Sequence, residues 1–164
     1  MTIAHLQLEA YRLGALSVQF NEAWLDEKRR AEDEIYDVLP SAEIREFEDK
    51  GRYLVRLSVR CEPKSDTEGV VRFNLLDATA WGIFALADDT PQEQRDILIN
   101  LNTVSILHGI LRGIVIGVTG SCFGGQFILP AINYKEAFAA GLEPCAEDEE
   151  RNSETAEETG TTTV

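Results

Sequence analysis

Basic residues are too few and too scattered in this sequence to serve a nucleic acid. Lys and Arg number 15 against 29 Asp and Glu, for a formal net charge of −14. Phosphate recognition needs clustered cations; an acidic surface favours solubility and attracts basic segments instead. Histidine is scarcer still. His5 and His108 are the only two, and no Ser–His–acid or Cys–His arrangement follows from their spacing. His108 lies in an apolar segment, where a hydrogen-bonded core histidine is the commoner finding than a general base. Cys61, Cys122 and Cys145 are odd in number and far apart, which favours reduced thiols over a zinc site or a disulfide framework. No cofactor or metal is expected, and no catalytic residue is assigned. The start, Met1 to Glu9, has no basic cluster, apolar run or cleavage site, so a cytoplasmic location is the simplest expectation.

At 164 residues there is room for one domain with a substantial core. The first half alternates. Leu6, Leu8 and Ala10, then Leu16, Val18 and Phe20 beyond Gly14, predict a strand with a bulge near the glycine. Residues 21–39 are charge-rich and read as a connection with a short helix. Residues 42–48 make a short strand, and Asp49-Lys50-Gly51 supplies turn chemistry. Tyr53, Val55, Leu57, Val59 and Cys61 form one face of a half-buried strand, with Arg52, Arg56, Ser58 and Arg60 on the other. A last strand covers 70–86. The expected sheet is a four-stranded antiparallel meander.

The second half is helical, which makes the fold class α+β. Thr90-Pro91-Gln92-Glu93 matches a capping box with proline at the first helical position. The helix should run from Pro91 to about Thr119 and end in the glycine cluster 120–125, with a short final helix from Tyr134 to Ala140. From Glu143 onward eight acidic residues face the single Arg151 and no aromatic residue occurs. A domain over 1–142 and a disordered acidic tail over 143–164 are expected. The acidic runs Asp88-Asp89 and Glu147 to Glu150 read as a solvated loop and part of that tail.

The long helix is apolar on almost every side, so something must bury it. A membrane span has the right length and finds a small-residue ridge in Ser105, Gly109, Gly113 and Gly117. Against it stand Asn100, Asn102, His108 and Arg112, because Arg alone costs about 2.5–3.5 kcal/mol at mid-bilayer on insertion scales. A dinucleotide site would treat Gly113 to Gly125 as a strand entering a phosphate loop, but a helix must follow that loop. Here Gln126-Phe-Ile-Leu-Pro130 follows instead. The third reading is a subunit interface in a soluble oligomer, with the ridge Gly109, Gly113 and Gly117 in a helix contact and no membrane insertion. That reading is adopted, ahead of a single-span membrane protein or a small-ligand-binding domain.

Four strands, a long helix and a short helix resemble the SecB export-chaperone family. Tyr53-x-Val55-x-Leu57-x-Val59 is similar to that family's third strand, and Gly82-Ile83-Phe84 to the end of its fourth. Leu107 and Arg112 fall where its long helix carries Leu and Arg. Leu129-Pro-Ala-Ile-Asn-Tyr134 resembles its Leu-Ala-Pro-Val-Asn-Phe run, with Pro and Ala exchanged. The resemblance spans about Leu6 to Phe138. It implies a homotetramer, a dimer of dimers, that holds unfolded client polypeptides in apolar grooves without nucleotide or chemistry and delivers export precursors to the motor SecA.

Under that resemblance Trp24, Trp81, Phe84, Phe123, Phe127 and Tyr134 are the groove candidates, each with a plain core role as the alternative. Leu75 and Asp77 fall where the family docks SecA, although they share a strand face with Val71 and Phe73 in the alternation. The family's other acids, at the end of the first strand, have no counterpart in Gly14 to Gln19. Gly109 and Gly113 also stand where the family commonly has Pro and Glu. These departures suit a diverged branch, such as the SecB-like chaperones that protect antitoxins.

Overall fold

Four antiparallel strands followed by a long and a short helix make up the computed structural model, which describes residues 5–49, 51–139 and 141. The acidic tail and Cys145 lie outside the described residues. The strands are β1 (Leu6–Phe20), β2 (Tyr36–Glu46), β3 (Arg52–Pro63) and β4 (Phe73–Leu86). The helices are α1 (Gln92–Ile97), α2 (Thr103–Thr119) and α3 (Tyr134–Ala139), with a π turn over Leu98–Asn102 joining the first two into one rod. A π turn inserts one extra residue, so the faces of α1 are rotated relative to the register of α2.

The α+β class and the antiparallel sheet agree with the sequence, but the strand order is a correction. The sheet runs β1-β4-β3-β2. Only β2, β3 and β4 form a meander; β1 pairs with β4, as in a Greek key. Alternation marks a strand but not its neighbour, which the connection decides. Residues 21–35 cross the end of the sheet and are pinned there. The Asn21 amide donates to the Arg72 carbonyl at 2.8 Å, Ala31 to Val70 at 3.0 Å and Val70 to Arg29 at 2.7 Å. Gly69 makes this crossing feasible: its φ is +91°, and a Cβ there would lie 2.9 Å from the Ala31 backbone.

Two further expectations fail for local reasons. β2 begins at Tyr36, not residue 42, and runs through Pro40. An edge strand tolerates the missing amide, and β2 is an edge. The capping box does not form: Thr90 Oγ1 donates to the Ala87 carbonyl at 2.6 Å, and the helix starts at Gln92 without a side-chain cap. The bulge at Gly14 is present, between Leu13 and Ala15.

One sheet face carries the core. Tyr53, Val55, Leu57, Val59 and Cys61 of β3 join Leu76, Ala78, Ala80 and Phe84 of β4, and Val104, Leu107, Leu111 and Val115 of α2 cover them. Each fully buried Val, Leu or Phe contributes about 1.5–3 kcal/mol. The rod Gln92–Thr119 is long and apolar enough to cross a membrane, yet α2 lays a helical stripe on this sheet. Gly113 to Thr119 is helix, which removes the strand that a dinucleotide loop requires.

Small residues in β4 set the helix-to-sheet distance. A Cβ on Gly82 would come within 2.7 Å of the Phe84 ring and 2.9 Å of Leu107. Gly82→Ala should therefore destabilise by about 1–3 kcal/mol through overpacking, and Leu107→Ala by about 2–5 kcal/mol through a cavity. The double variant should lose less than the sum, because the shortened Leu107 makes room for the new methyl. Urea melts of the three variants test this, and strict additivity would contradict it.

Candidate functional site

A single helix leaves much apolar surface uncovered. On the outer side of α2, Ile106 and Val118 are exposed, as is Ile97 of α1. The ridge Ser105, Gly109, Gly113 and Gly117 is exposed as well, and a Cβ on any of its glycines would meet nothing within 4 Å. From Ile97 to Thr119 there is no carboxylate, and Arg112 is the sole permanent charge. The structure thus leaves the ridge open.

The six aromatic candidates separate into two groups. Phe84, Phe127 and Tyr134 are core residues, at 0%, 4% and 5% exposure. That corrects their assignment to an accessible groove: the helix-side packing closes over them. Trp24, Trp81 and Phe123 stay accessible, and Phe123 is 90% exposed.

Trp24 sits on a 3₁₀ turn (Glu22–Leu25) whose start is capped by the Asn21 side chain, accepting from the Ala23 amide at 3.2 Å. The Arg30 guanidinium lies 3.9 Å from the centre of its indole ring, and Phe20 meets the ring edge-on at 6.3 Å. Edge-on contacts continue inward from Phe20 to Phe73, Phe127 and Tyr36, with centroids 6.2, 5.6 and 5.0 Å apart. The loop after α2 rests on the same ring, since a Cβ on Gly124 would lie 3.0 Å from Phe20. Phe123 precedes that glycine. Trp24, exposed Leu25 and Phe123 therefore share one end of the molecule, anchored through Phe20 to the core.

Arg72, which sequence reasoning missed, holds this end together. Its amide donates to Glu34 Oε1 at 2.8 Å, and its Nε pairs with the other carboxylate oxygen. Its Nη1 donates to the carbonyls of Gly124 at 3.0 Å and Gln126 at 3.2 Å. One guanidinium thus ties the crossover to the Phe123 loop. A lone Arg before a strand carries no signal of such a role.

Trp81, Leu75 and Asp77 lie on the opposite, outer face of the sheet. The shared face expected for Phe73, Leu75 and Asp77 is a correction: Phe73 is fully buried, and a register shift at Gln19/Phe20 turns Leu75 outward, half-buried. Asp77 stands opposite Arg60 of β3 and Ser17 of β1.

His108 is a buried clip between α2 and the final helix. Its Nε2 lies 3.0 Å from the Pro130 carbonyl and its Nδ1 2.9 Å from the Tyr134 hydroxyl. A carbonyl only accepts, so Nε2 carries the proton and the Tyr134 hydroxyl donates to Nδ1. Burial lowers the His108 pKa, the Pro130 bond partly opposes this, and Arg112 adds to it. Burial also raises Tyr134 far above the usual phenol range and Tyr36 to about 12. Among the described residues, no group of three or more His, Cys, Asp or Glu side chains is placed to hold a metal.

No protein-family model and no curated protein sequence matches the chain. Solved structures do resemble it. The Mycobacterium tuberculosis Rv1957 SecB-like chaperone, in complex with a ChAD peptide from the Rv1956 HigA1 antitoxin, is 17% identical with a TM-score of 0.54, over 78% of this chain and 91% of that one. A Streptococcus agalactiae protein of unknown function is 9% identical with a TM-score of 0.45, over 77% of this chain and 97% of that one. The first similarity shows that the chain has the fold of a SecB-like chaperone.

The clip predicts a pH dependence of stability. The folded pKa of His108 is below its unfolded value of about 6.5, so the unfolded chain takes up the proton first as pH falls. The contribution is fully present above about pH 6.5 and is lost as pH drops towards the folded pKa. Urea midpoints at pH 7.5 and 5.5 should differ more for the native chain than for His108→Gln. Equal differences would contradict the buried neutral clip.

Proposed function

We propose that this protein is an ATP-independent chaperone that holds unfolded polypeptides on apolar surface and works as a soluble homotetramer, a dimer of dimers. The supporting observation is uncovered apolar surface on a strongly acidic chain: the carboxylate-free outer side of α2 and the Trp24–Leu25–Phe123 end. Large exposed apolar patches mark interaction sites, and net charge of −14 opposes self-aggregation. In this reading the Gly109, Gly113 and Gly117 ridge packs against a helix of another copy, while the aromatic end meets the client. No nucleotide, metal or bond-making step is needed, and the protein acts in the cytoplasm.

Two client classes follow. The family resemblance suggests precursors destined for the Sec translocase. A chaperone dedicated to an antitoxin is the second reading, favoured by the antitoxin peptide bound to the Rv1957 structure. The outer sheet face also favours it. Leu75 and Asp77 are present there, but the neighbouring stretch of β1 from Gly14 to Gln19 has no acid. Binding of the basic, zinc-bearing C-terminal segment of SecA should therefore be weak or absent, since missing charge pairs slow association. Tight, salt-sensitive calorimetric binding that is lost on Asp77→Ala would contradict this and restore the export role.

The holdase activity itself has a direct test. The purified protein should suppress aggregation of an unfolded client without ATP, near one tetramer per client chain. A small-ligand-binding domain predicts no suppression and one saturable small ligand. Light scattering should find a tetramer at micromolar concentration. Gly113→Leu should weaken assembly while leaving the protomer folded, because its side chain has open space within the protomer. A monodisperse monomer of the native chain would contradict the assembly.

A further inference from the structure

The aromatic end is made of two distant pieces of chain. Trp24 and Leu25 belong to the crossover between β1 and β2, and Phe123 to the loop after α2. Among the described residues no backbone hydrogen bond runs directly between the two pieces. Both touch the Phe20 ring, but ring packing is not directional and leaves their spacing loosely set.

The directional link is Arg72. Glu34, at the far end of the crossover, accepts the Arg72 amide on Oε1 at 2.8 Å and the guanidinium Nε on Oε2. The Nη1 of that guanidinium donates to the carbonyls of Gly124 at 3.0 Å and Gln126 at 3.2 Å. The Arg72 and Glu34 side chains are only 27% and 14% exposed, so water competes little for the pair. A guanidinium is planar and rigid, so seating Nε on Glu34 fixes where Nη1 points and hence where the loop carbonyls sit.

The loop is built to receive this hold. Gly125 stands between the two bonded carbonyls with φ of +73°, a conformation that favours glycine. Its amide donates to the Cys122 carbonyl at 3.0 Å and closes a tight turn with Phe123 at the tip. Gly124 seats the turn: a Cβ there would lie 3.0 Å from the Phe20 ring and 3.2 Å from Phe73.

We infer that Glu34, Arg72 and Gly125 form a latch that sets the spacing between the Trp24–Leu25 half and the Phe123 half of the client surface, with Arg72 as a positioning residue for client capture. This deepens the holdase reading and rests on it. An unfolded chain with apolar residues for both halves meets them already in place. With the latch open, the client must itself order the Phe123 loop, and that cost comes off the affinity. Lysine cannot replace the arginine, because an ammonium is a single point without the fork that serves a carboxylate and two carbonyls together.

The test is fluorescence anisotropy of a labelled protein kept unfolded by reduction and carboxymethylation of its cysteines, titrated with the full-length chain. Arg72→Lys should raise Kd about fivefold, the ordering cost of one loop side chain. Gly125→Ala should act alike from the other side of the latch, since its Cβ would meet nothing within 4 Å and the substitution strains only the backbone. In a Phe123→Ala background neither substitution should weaken binding further, because both act through that ring. Equal weakening in both backgrounds would mark a general loss of structure, and unchanged binding in the native background would mark a latch without effect on clients. Either result overturns the inference and leaves the holdase reading intact. If Arg72→Lys folds poorly, Gly125→Ala carries the same test. No binding by the native chain would overturn the holdase reading and this inference with it.

Discussion

A single helix cannot cover a four-stranded sheet, and the rest of this molecule follows from that mismatch. Four strands span about 19 Å, whereas a helix with its side chains is about 10–12 Å across. α2 lies over β3 and β4, whose inward residues are buried almost without exception. Towards β1 the cover runs out. Tyr11 and Leu13 stand opposite Gly82 and Ala80, on the helix side of the sheet, yet are 57% and 37% exposed. The helix has the converse problem, with an apolar outer side and nothing beneath it. This is the surface that the proposed assembly and client binding would cover.

The aromatic end shows how exposed apolar groups are held in place without being hidden. Trp24 is fixed by Arg30 and by an edge-on chain of rings that leads through Phe20 to the core. The Phe123 loop is fixed by Arg72 through its carbonyls, which leaves the Phe123 ring itself free of the core. A rigid base with projecting rings suits a surface that meets many sequences, since contact area is offered at little cost in ordering. The opposite face of the sheet has a different character, with arginines, Glu43 and Trp81 in register.

The alternation in β3 was legible because one buried face and one solvated face repeat with period two. So was the long helix, because nothing else explains more than 20 residues with so little charge. What the sequence hid was contextual. The neighbour of β1 depends on a crossover held by backbone bonds around Gly69, which no side-chain pattern encodes. The strand through Pro40 depended on β2 being an edge. Phe84, Phe127 and Tyr134 could not be told from Trp24 and Phe123, since burial of an aromatic ring is decided by what packs over it. Arg72 was invisible, because its acceptors are the Glu34 carboxylate and two carbonyls more than 50 residues away.

The central claim, that the uncovered apolar end receives unfolded chains, is tested most directly by photo-crosslinking. A photoreactive phenylalanine analogue in place of Phe123 should crosslink to an unfolded client and not to the same client once folded. The same analogue at exposed Glu68 should give little product. Equal crosslinking from both positions, or none from position 123 under conditions where aggregation is suppressed, would contradict the account.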